Sequence, residues 1–198
     1  MEILRLQGRV VRGVTTLDSA RRGSSFCGAP VLGGDESLRE FSSDQIELAN
    51  GIGTVGQPAR RIKAFEMGKA AGFTFATLAH PSAVIAADVE LGEGSQIMAG
   101  AILQPGTTVG VNSIINTRAS VDHDCRVGAH VHIAPGVTLC GEVVVGDASF
   151  VGAGATVVKG VRIGCDCIVG AGALLRATLP DGMVVAGVPA CPLKRSNA

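Results

Sequence analysis

A repeat with a period of six residues runs from Ile85 to Leu175 and constrains the fold more than any other feature. Every sixth residue across this stretch is Ile, Leu or Val, and no insertion breaks the count. A second series, four residues after the first, is Ala, Ser, Thr, Cys or Val. A helix does not explain this pattern, because a period of six drifts around a 3.6-residue turn. Fixed self-similarity at this period is typical of a hexapeptide β-helix.

The two series predict which side chains fill the core of a mainly β protein. Positions one and five of each hexad point inward from a short strand, and each coil buries its apolar wall only against the next coil. The residues between them form corners, where we expect glycine because corners need backbone angles that glycine adopts readily. The recurring corner glycines are Gly92, Gly110, Gly128, Gly146, Gly152, Gly164 and Gly170.

The composition narrows the class of protein. The formal net charge is zero, which gives no electrostatic footprint for nucleic acid. The mean hydropathy is +0.38, yet no run of 18 apolar residues occurs, so we expect no membrane span. The start of the chain, at 1–4, lacks the basic residues of a signal peptide. We therefore expect a cytoplasmic protein whose cysteines are buried or incidental thiols.

Residues 1–78 contain no hexads and predict a separate small α/β domain. Strand candidates at 9–15, 47–54 and 73–78 surround a helix that begins near Pro58 and stops before Gly72. Strand–helix–strand alternation favours a parallel sheet. We divide the chain into this domain at 1–78 and a β-helix domain at 79–198.

Polar residues interrupt the repeat at one corner, where Asp122 and Asp124 lie on either side of His123. A carboxylate bound to one ring nitrogen of a histidine fixes its tautomer and raises the basicity of the other nitrogen. That arrangement makes a general base suited to neutral pH. His, Asp and Asn are also good turn residues. The spacing therefore favours a catalytic corner and a solvated polar corner equally.

A metal site is a further alternative, because His130 and His132 follow His123 closely. Three-histidine zinc sites occur in other β-helix enzymes. However, no two histidines here are eighteen residues apart, the spacing that would stack ligands in successive coils. We therefore expect no metal.

The corner and its surroundings resemble the sialic-acid O-acetyltransferase (NeuD-like) family of hexapeptide-repeat sugar acetyltransferases. The resemblance rests on 115–125 and 132–141, on landmarks at 30–35 and 78–83, and on Gly-Val-Pro-Ala at 187–190. The family includes enzymes that acetylate the 4-amino group of nucleotide-linked sugars. The resemblance implies a left-handed parallel β-helix with three hexads per turn, preceded by a small nucleotide-sugar-binding domain that is truncated here. It also implies a homotrimer with acetyl-CoA between subunits.

The resemblance further implies roles for individual residues. His123 would be the general base for direct attack of the sugar amine on acetyl-CoA, without a metal or a covalent enzyme intermediate. Asp122 and Asp124 would tune it, and Asn116 would orient the acceptor. The expected acetyl-CoA-binding residues are His132 (at the thioester), Gly141, Ala153, Ala171 and Lys194. The expected substrate-binding residues are Asp18, Gly33, Gly34, Asp35 and Gly53.

Two departures from the family pattern concern the acceptor. The family opens with a strand and a Gly-rich loop that cradles nucleotide phosphates, whereas here Met1 begins inside the following helix. The acidic pair expected after the second strand reads Thr-Thr-Leu-Asp at 15–18. Either the true start lies upstream, or the protein binds a nucleotide sugar poorly. In addition, Cys191 stands where a lysine is usual, and Lys194 would meet the CoA phosphate instead.

Two alternatives to amino-sugar acetylation remain open at this point. The first is O-acetylation of sialic acid or another sugar, since one base serves either nucleophile. The second is a catalytically weak trimeric scaffold. The intact set of Asn116, Asp122 and His123 favours an enzyme, because drift would erode a corner that has no packing role.

Overall fold

The computed structural model describes residues 1–193, and the hexads form the predicted parallel β-helix. From Leu78–Ala79 to Thr156–Val157, each strand pairs in parallel with the strand eighteen residues later, as Ile102 does with Ser120, so three hexads make one coil. The three faces of the coil are three parallel sheets. The first face contains strands Val84–Ile85, Ile102–Leu103, Ser120–Val121, Thr138–Leu139, Thr156–Val157 and Leu174–Leu175. The second face contains Glu90–Leu91, Thr108–Val109, Arg126–Val127, Val144–Val145 and Arg162–Ile163.

The third face is the longest and ends in an antiparallel strand. It contains Leu78–Ala79, Gln96–Ile97, Ile114–Ile115, His132–Ile133, Phe150–Val151, Ile168–Val169, Val184–Ala186 and Cys191–Pro192. The last of these pairs antiparallel with Val184–Ala186. We call the turns from the first to the second face, the second to the third and the third to the first the first, second and third corners.

The predicted inward register is confirmed. From Ile97 to Leu175, every member of the branched aliphatic series is buried. The second series is buried from Ser95 to Ala173. Each side chain stacks on its equivalent in the adjacent coil, so the core is a continuous column of small and branched residues.

The role predicted for the corner glycines is wrong. Left-handed backbone angles occur two positions later, as at Asn112 (φ 56°) and Asp124 (φ 58°), whereas the seven predicted glycines do not adopt them. A Cβ on Gly110 would lie 2.5 Å from the backbone of Gly128, and one on Gly146 would lie 2.6 Å from the backbone of Cys165. Glycine is therefore required where one coil passes closely over the next.

The residues before the β-helix form two small sheets and four helical segments. The α-helices are Glu2–Leu6 and Ala59–Ala70, and the 3-10 helices are Ser19–Arg21 and Asp35–Glu40. One sheet contains Val14–Thr15, Ser25–Phe26 and Ala29–Gly33, and the other contains Glu47–Leu48 and Thr74–Phe75. None of the helices in residues 1–193 is long and apolar enough to cross a membrane.

The strand–helix–strand unit is present, since Glu47–Leu48 pairs in parallel with Thr74–Phe75 around helix Ala59–Ala70. Its first strand is shorter than predicted, because the carbonyl of Asn50 accepts hydrogen bonds from the side chains of Arg61 and Gln96. Leu78–Ala79 already pairs with Gln96–Ile97 in the third face. The division between residues 78 and 79 stays a prediction.

Candidate active site

The ring of His123 is held by one of its two acidic neighbours. The first corner carries 122–125 between strands Ser120–Val121 and Arg126–Val127. His123 Nδ1 lies 2.8 Å from Asp124 Oδ2. Because a carboxylate oxygen only accepts, Nδ1 carries the hydrogen of this bond, and in the neutral ring Nε2 keeps its lone pair. The His123 side chain is 45% exposed, so this lone pair is open to a ligand.

Asp122 has a different function at this corner. Its Oδ1 accepts a 2.8 Å hydrogen bond from the backbone N–H of His123. Its own carbonyl accepts from the hydroxyl of Thr107 in the preceding coil. Asp122 therefore fixes the corner backbone, and Asp124 fixes the imidazole. That both carboxylates tune the basicity of His123 stays a prediction: Asp122 would act through the backbone and Asp124 through the ring.

Gly141 lies directly against His123 in the next coil. A Cβ on Gly141 would lie 2.5 Å from His123 Nε2 and 2.7 Å from Cε1. Within residues 1–193, the backbone N–H of Gly141 has no hydrogen-bond acceptor. The first corner therefore places an unshared imidazole nitrogen beside an unused backbone donor. A proton acceptor and an oxyanion donor in this proximity are the two groups that acyl transfer requires.

Gly141→Ala is expected to lower turnover about a hundredfold, the scale associated with a displacement of roughly 1 Å in a catalytic group. The reason is steric, because the new methyl would overlap the His123 ring. Steady-state kinetics measure the loss, and circular dichroism measures the melting temperature. In a His123→Ala background, the same substitution should leave the melting temperature unchanged. A glycine needed for its backbone conformation would instead lower the melting temperature in both backgrounds.

Asn116 and His132 form a second cluster where the third face meets the third corner. Asn116 Nδ2 lies 3.0 Å from His132 Nε2. Both side chains line a cavity of about 120 Å³ together with residues of the third face, such as Gln96, and residues of the N-terminal region, such as Gly53. Asn116 precedes the first face and His123 follows it. Within one chain, this cluster and the His123 corner therefore lie at opposite edges of the first face.

His132 is engaged at both ring nitrogens and is only 7% exposed. Its Nδ1 lies 2.7 Å from the hydroxyl and 3.0 Å from the carbonyl oxygen of Thr54. The Phe150 ring packs edge-on against it. Burial lowers the pKa of His132 from its ordinary value, which favours the neutral ring. The predicted contact of His132 with the thioester stays untested.

The other residues predicted to bind acetyl-CoA occupy different places. Ala153 and Ala171 are exposed on the third corner, in line with Thr117 and Pro135 at the eighteen-residue spacing. Thr117 and Pro135 border an open groove of about 420 Å³. Lys194 lies outside the described residues.

Four of the predicted substrate-binding residues lie together in the small three-stranded part of the N-terminal region. Asp18 caps a 3-10 helix by accepting from the backbone N–H of Ala20 at 3.1 Å. Asp35 accepts from the hydroxyl of Thr15 at 2.9 Å. Gly33, just before Gly34, has a φ of 134°. The fifth, Gly53, lines the cavity beside Asn116 instead.

Sequence reasoning missed Thr54 and Arg61. Thr54 meets His132 across 78 positions in the chain, and no local motif signals such a contact. Arg61 is 1% exposed, although a charged helical residue usually faces solvent. No group of three or more His, Cys, Asp or Glu side chains in residues 1–193 could hold a metal ion.

Comparisons with known proteins identify several similar chains. A family model described as the hexapeptide repeat of succinyl-transferase matches residues 142–177. A GDP-perosamine N-acetyltransferase from Escherichia coli O157:H7 is 35% identical over 80 residues. That match covers 37% of this chain and 34% of the relative, so it spans about a third of the relative's length.

Solved structures match over nearly the whole chain. The acetyltransferase domain of PglB from Neisseria gonorrhoeae FA1090 has a TM-score of 0.87 at 36% identity, covering 97% of this chain and 92% of that one. It is also known in complex with acetyl coenzyme A. PerB from Caulobacter crescentus, solved with CoA and GDP-perosamine, has a TM-score of 0.87 at 39% identity, and the match covers 98% of this chain and 90% of PerB.

These likenesses confirm the predicted left-handed winding of the β-helix and the resemblance to sugar acetyltransferases of the hexapeptide-repeat type. They extend through the N-terminal region as well as the repeat, since 97% of the chain is covered. The chain therefore belongs to the family of hexapeptide-repeat acetyltransferases.

Proposed function

We propose that the protein transfers the acetyl group of acetyl-CoA to the amino group of a nucleotide-linked 4-amino sugar. The observation that carries this proposal is the free Nε2 of His123, with Asp124 on Nδ1 and the Gly141 N–H alongside. The relatives support the substrates, because one is solved with acetyl coenzyme A and another with CoA and GDP-perosamine.

The chemistry follows from these three groups. The amine nitrogen of the sugar attacks the thioester carbon while His123 Nε2 takes a proton from it. Asp124 stabilises the imidazolium that forms. The N–H of Gly141 donates to the oxyanion of the tetrahedral intermediate. Collapse breaks the carbon–sulfur bond, and the departing CoA thiolate takes the proton back from His123. No group on the enzyme is acetylated.

We further propose a homotrimer in which the first face packs against a neighbouring subunit. The outward side chains of this face carry no charge. They are Val84, Ile102, Ser120, Thr138, Thr156 and Leu174. Those of the second face include Glu90, Arg126 and Arg162, which suit solvent. Because His123 and Asn116 border the first face on opposite sides, subunit contact through this face would bring the His123 corner of one copy to the Asn116 corner of the next.

Within this trimer, the donor and the acceptor approach from different parts of the chain. Acetyl-CoA would lie along the third corner, where Ala153 and Ala171 leave room for the pantetheine arm. The nucleotide would be held by the N-terminal region, through Asp18, Gly33, Gly34, Asp35 and Gly53. The setting would be the cytoplasm, a reducing compartment in which all six cysteines remain free thiols.

A transfer assay tests this function. The purified protein is incubated with acetyl-CoA and UDP-, GDP- and dTDP-linked 4-amino sugars, and products are examined by mass spectrometry. We expect one acceptor to gain the mass of a single acetyl group. Acetylation of hydroxyl acceptors such as sialic acid, without any amino sugar, would show an O-acetyltransferase. Binding of acetyl-CoA without a product on either class would indicate a scaffold.

A further inference from the structure

His132 connects two segments that are far apart in the chain. It occupies an outward position on the third face, but the segment 50–54 covers it and leaves 7% of it exposed. On one side, its Nδ1 meets Thr54 at 2.7 and 3.0 Å. On the other, its Nε2 meets the amide of Asn116 at 3.0 Å. Neither ring nitrogen is left for a ligand.

Both sides require the same tautomer of His132. The carbonyl oxygen of Thr54 can only accept, so Nδ1 carries the hydrogen. Asn116 Oδ1 accepts from the backbone N–H of Thr117 at 2.7 Å, so its amide nitrogen must face His132. An amide N–H donates, and Nε2 therefore accepts. A protonated ring would set two donors against each other at Asn116.

The segment that holds Thr54 is itself fixed to the β-helix. The Arg61 guanidinium donates to the carbonyls of Asn50 at 3.0 Å and Ile52 at 2.8 Å. Its Nε donates to the carbonyl of Asn112 at 2.9 Å. The side chain of Gln96 also donates to Asn50 at 2.8 Å. The bonds to Asn50 and Asn112 are buried, so the position of Thr54 relative to the coils is strongly constrained.

We infer that His132 is a positioning residue: as a neutral ring, it ties Asn116 to Thr54 and so sets the Asn116 amide in place for the acceptor sugar. This role rests on the proposed acetyl transfer and replaces the expectation that His132 contacts the thioester. One amide hydrogen of Asn116 bonds His132, and the second is left for the acceptor. The N-terminal region thus holds an acceptor-binding group of the β-helix in position.

Two matched variants separate the contact of His132 with Thr54 from its contact with Asn116. His132→Asn keeps a donor near the position of Nδ1 but removes the acceptor for Asn116. His132→Gln keeps an acceptor near the position of Nε2. We expect His132→Asn to lower kcat/KM for the acetylated amino sugar roughly tenfold, the scale of one lost hydrogen bond. The dissociation constant for acetyl-CoA, measured by calorimetry, should not change. His132→Gln should restore most of the loss.

The double variant His132→Asn, Asn116→Ala provides a coupling test. If His132 acts through Asn116, the double variant should be no slower than Asn116→Ala alone. Multiplicative losses would overturn the inference. Weaker acetyl-CoA binding by His132→Asn, with unchanged acceptor kinetics, would also overturn it and restore a contact with the thioester.

Nuclear magnetic resonance of the 15N-histidine-labelled wild-type protein tests the inference without any activity. We expect the two ring nitrogens of His132 to show a neutral ring protonated at Nδ1 at pH 7. A charged ring, or the tautomer protonated at Nε2, would overturn the positioning role. This outcome does not depend on which sugar is acetylated, so a failed transfer assay and a failed inference can be told apart.

Discussion

His123→Ala is expected to lower turnover by about 10²- to 10⁴-fold, the usual contribution of a general base. The side chain is 45% exposed and its hydrogen-bond partner is Asp124, so its loss removes little packing. The melting temperature and the oligomeric state should therefore match those of the wild type. The measurement is acetyl transfer to whichever amino sugar the wild type accepts, with acetyl-CoA binding followed by calorimetry.

His80→Ala is the matched control for this substitution. His80 is also partly exposed, and its Nδ1 accepts from the backbone N–H of Ser82, well before His123 in the chain. The His80→Ala variant should retain wild-type turnover. If His123→Ala transferred acetyl at a near wild-type rate, the base would have to be another residue. The turnover of Asp124→Asn should lie between those of His80→Ala and His123→Ala, because the amide orients the ring less well and does not stabilise the imidazolium.

Val127→Asp is expected to prevent folding. Val127 is 2% exposed and pairs with Val109 in the preceding coil and Val145 in the following one. An aspartate there would bury a carboxylate among aliphatic side chains without a partner, at a cost of several kcal/mol. Because each coil is stable only against its neighbours, disruption of this coil also exposes the apolar walls on either side. Expression should yield aggregated protein without a cooperative thermal transition.

Arg126→Asp introduces the same side chain one residue earlier and provides the control. Arg126 is exposed on the second face, so its replacement should change the melting temperature little. Circular dichroism and size-exclusion chromatography compare the two variants. A soluble Val127→Asp with a wild-type melting temperature would show that the inward positions of the repeat are wrongly assigned.

The repeat could be predicted from the sequence because each inward position recurs at a fixed interval. One local rule, applied sixteen times, specifies the whole core from Ile85 to Leu175. The role of Gly110 and its equivalents could not be predicted in the same way. Their Cβ would meet the backbone or a side chain of the next coil, and that contact can be predicted only once the coil length is known.

In the site, too, contacts between neighbours in the chain could be predicted and contacts between distant segments could not. The pair His123 and Asp124 could be identified because the two residues are neighbours in the chain. The link from Thr54 to His132 crosses 78 positions and depends on how the N-terminal region docks on the third face. Asn116 and His123 are close in sequence, yet a separation of seven residues places them on successive corners of the coil. Proximity in the chain was therefore misleading for this pair.

The eighteen-residue register also determines which changes in chain length the protein can absorb. Deleting one whole coil would shorten the stack and leave every downstream residue at its own corner. Deleting a single hexad would still match inward positions, so the core would close. However, all later corners would advance by one edge of the triangle, and Ala153 and Ala171 would leave the edge that Asn116 occupies. Natural length variation that keeps activity should therefore come in steps of three hexads.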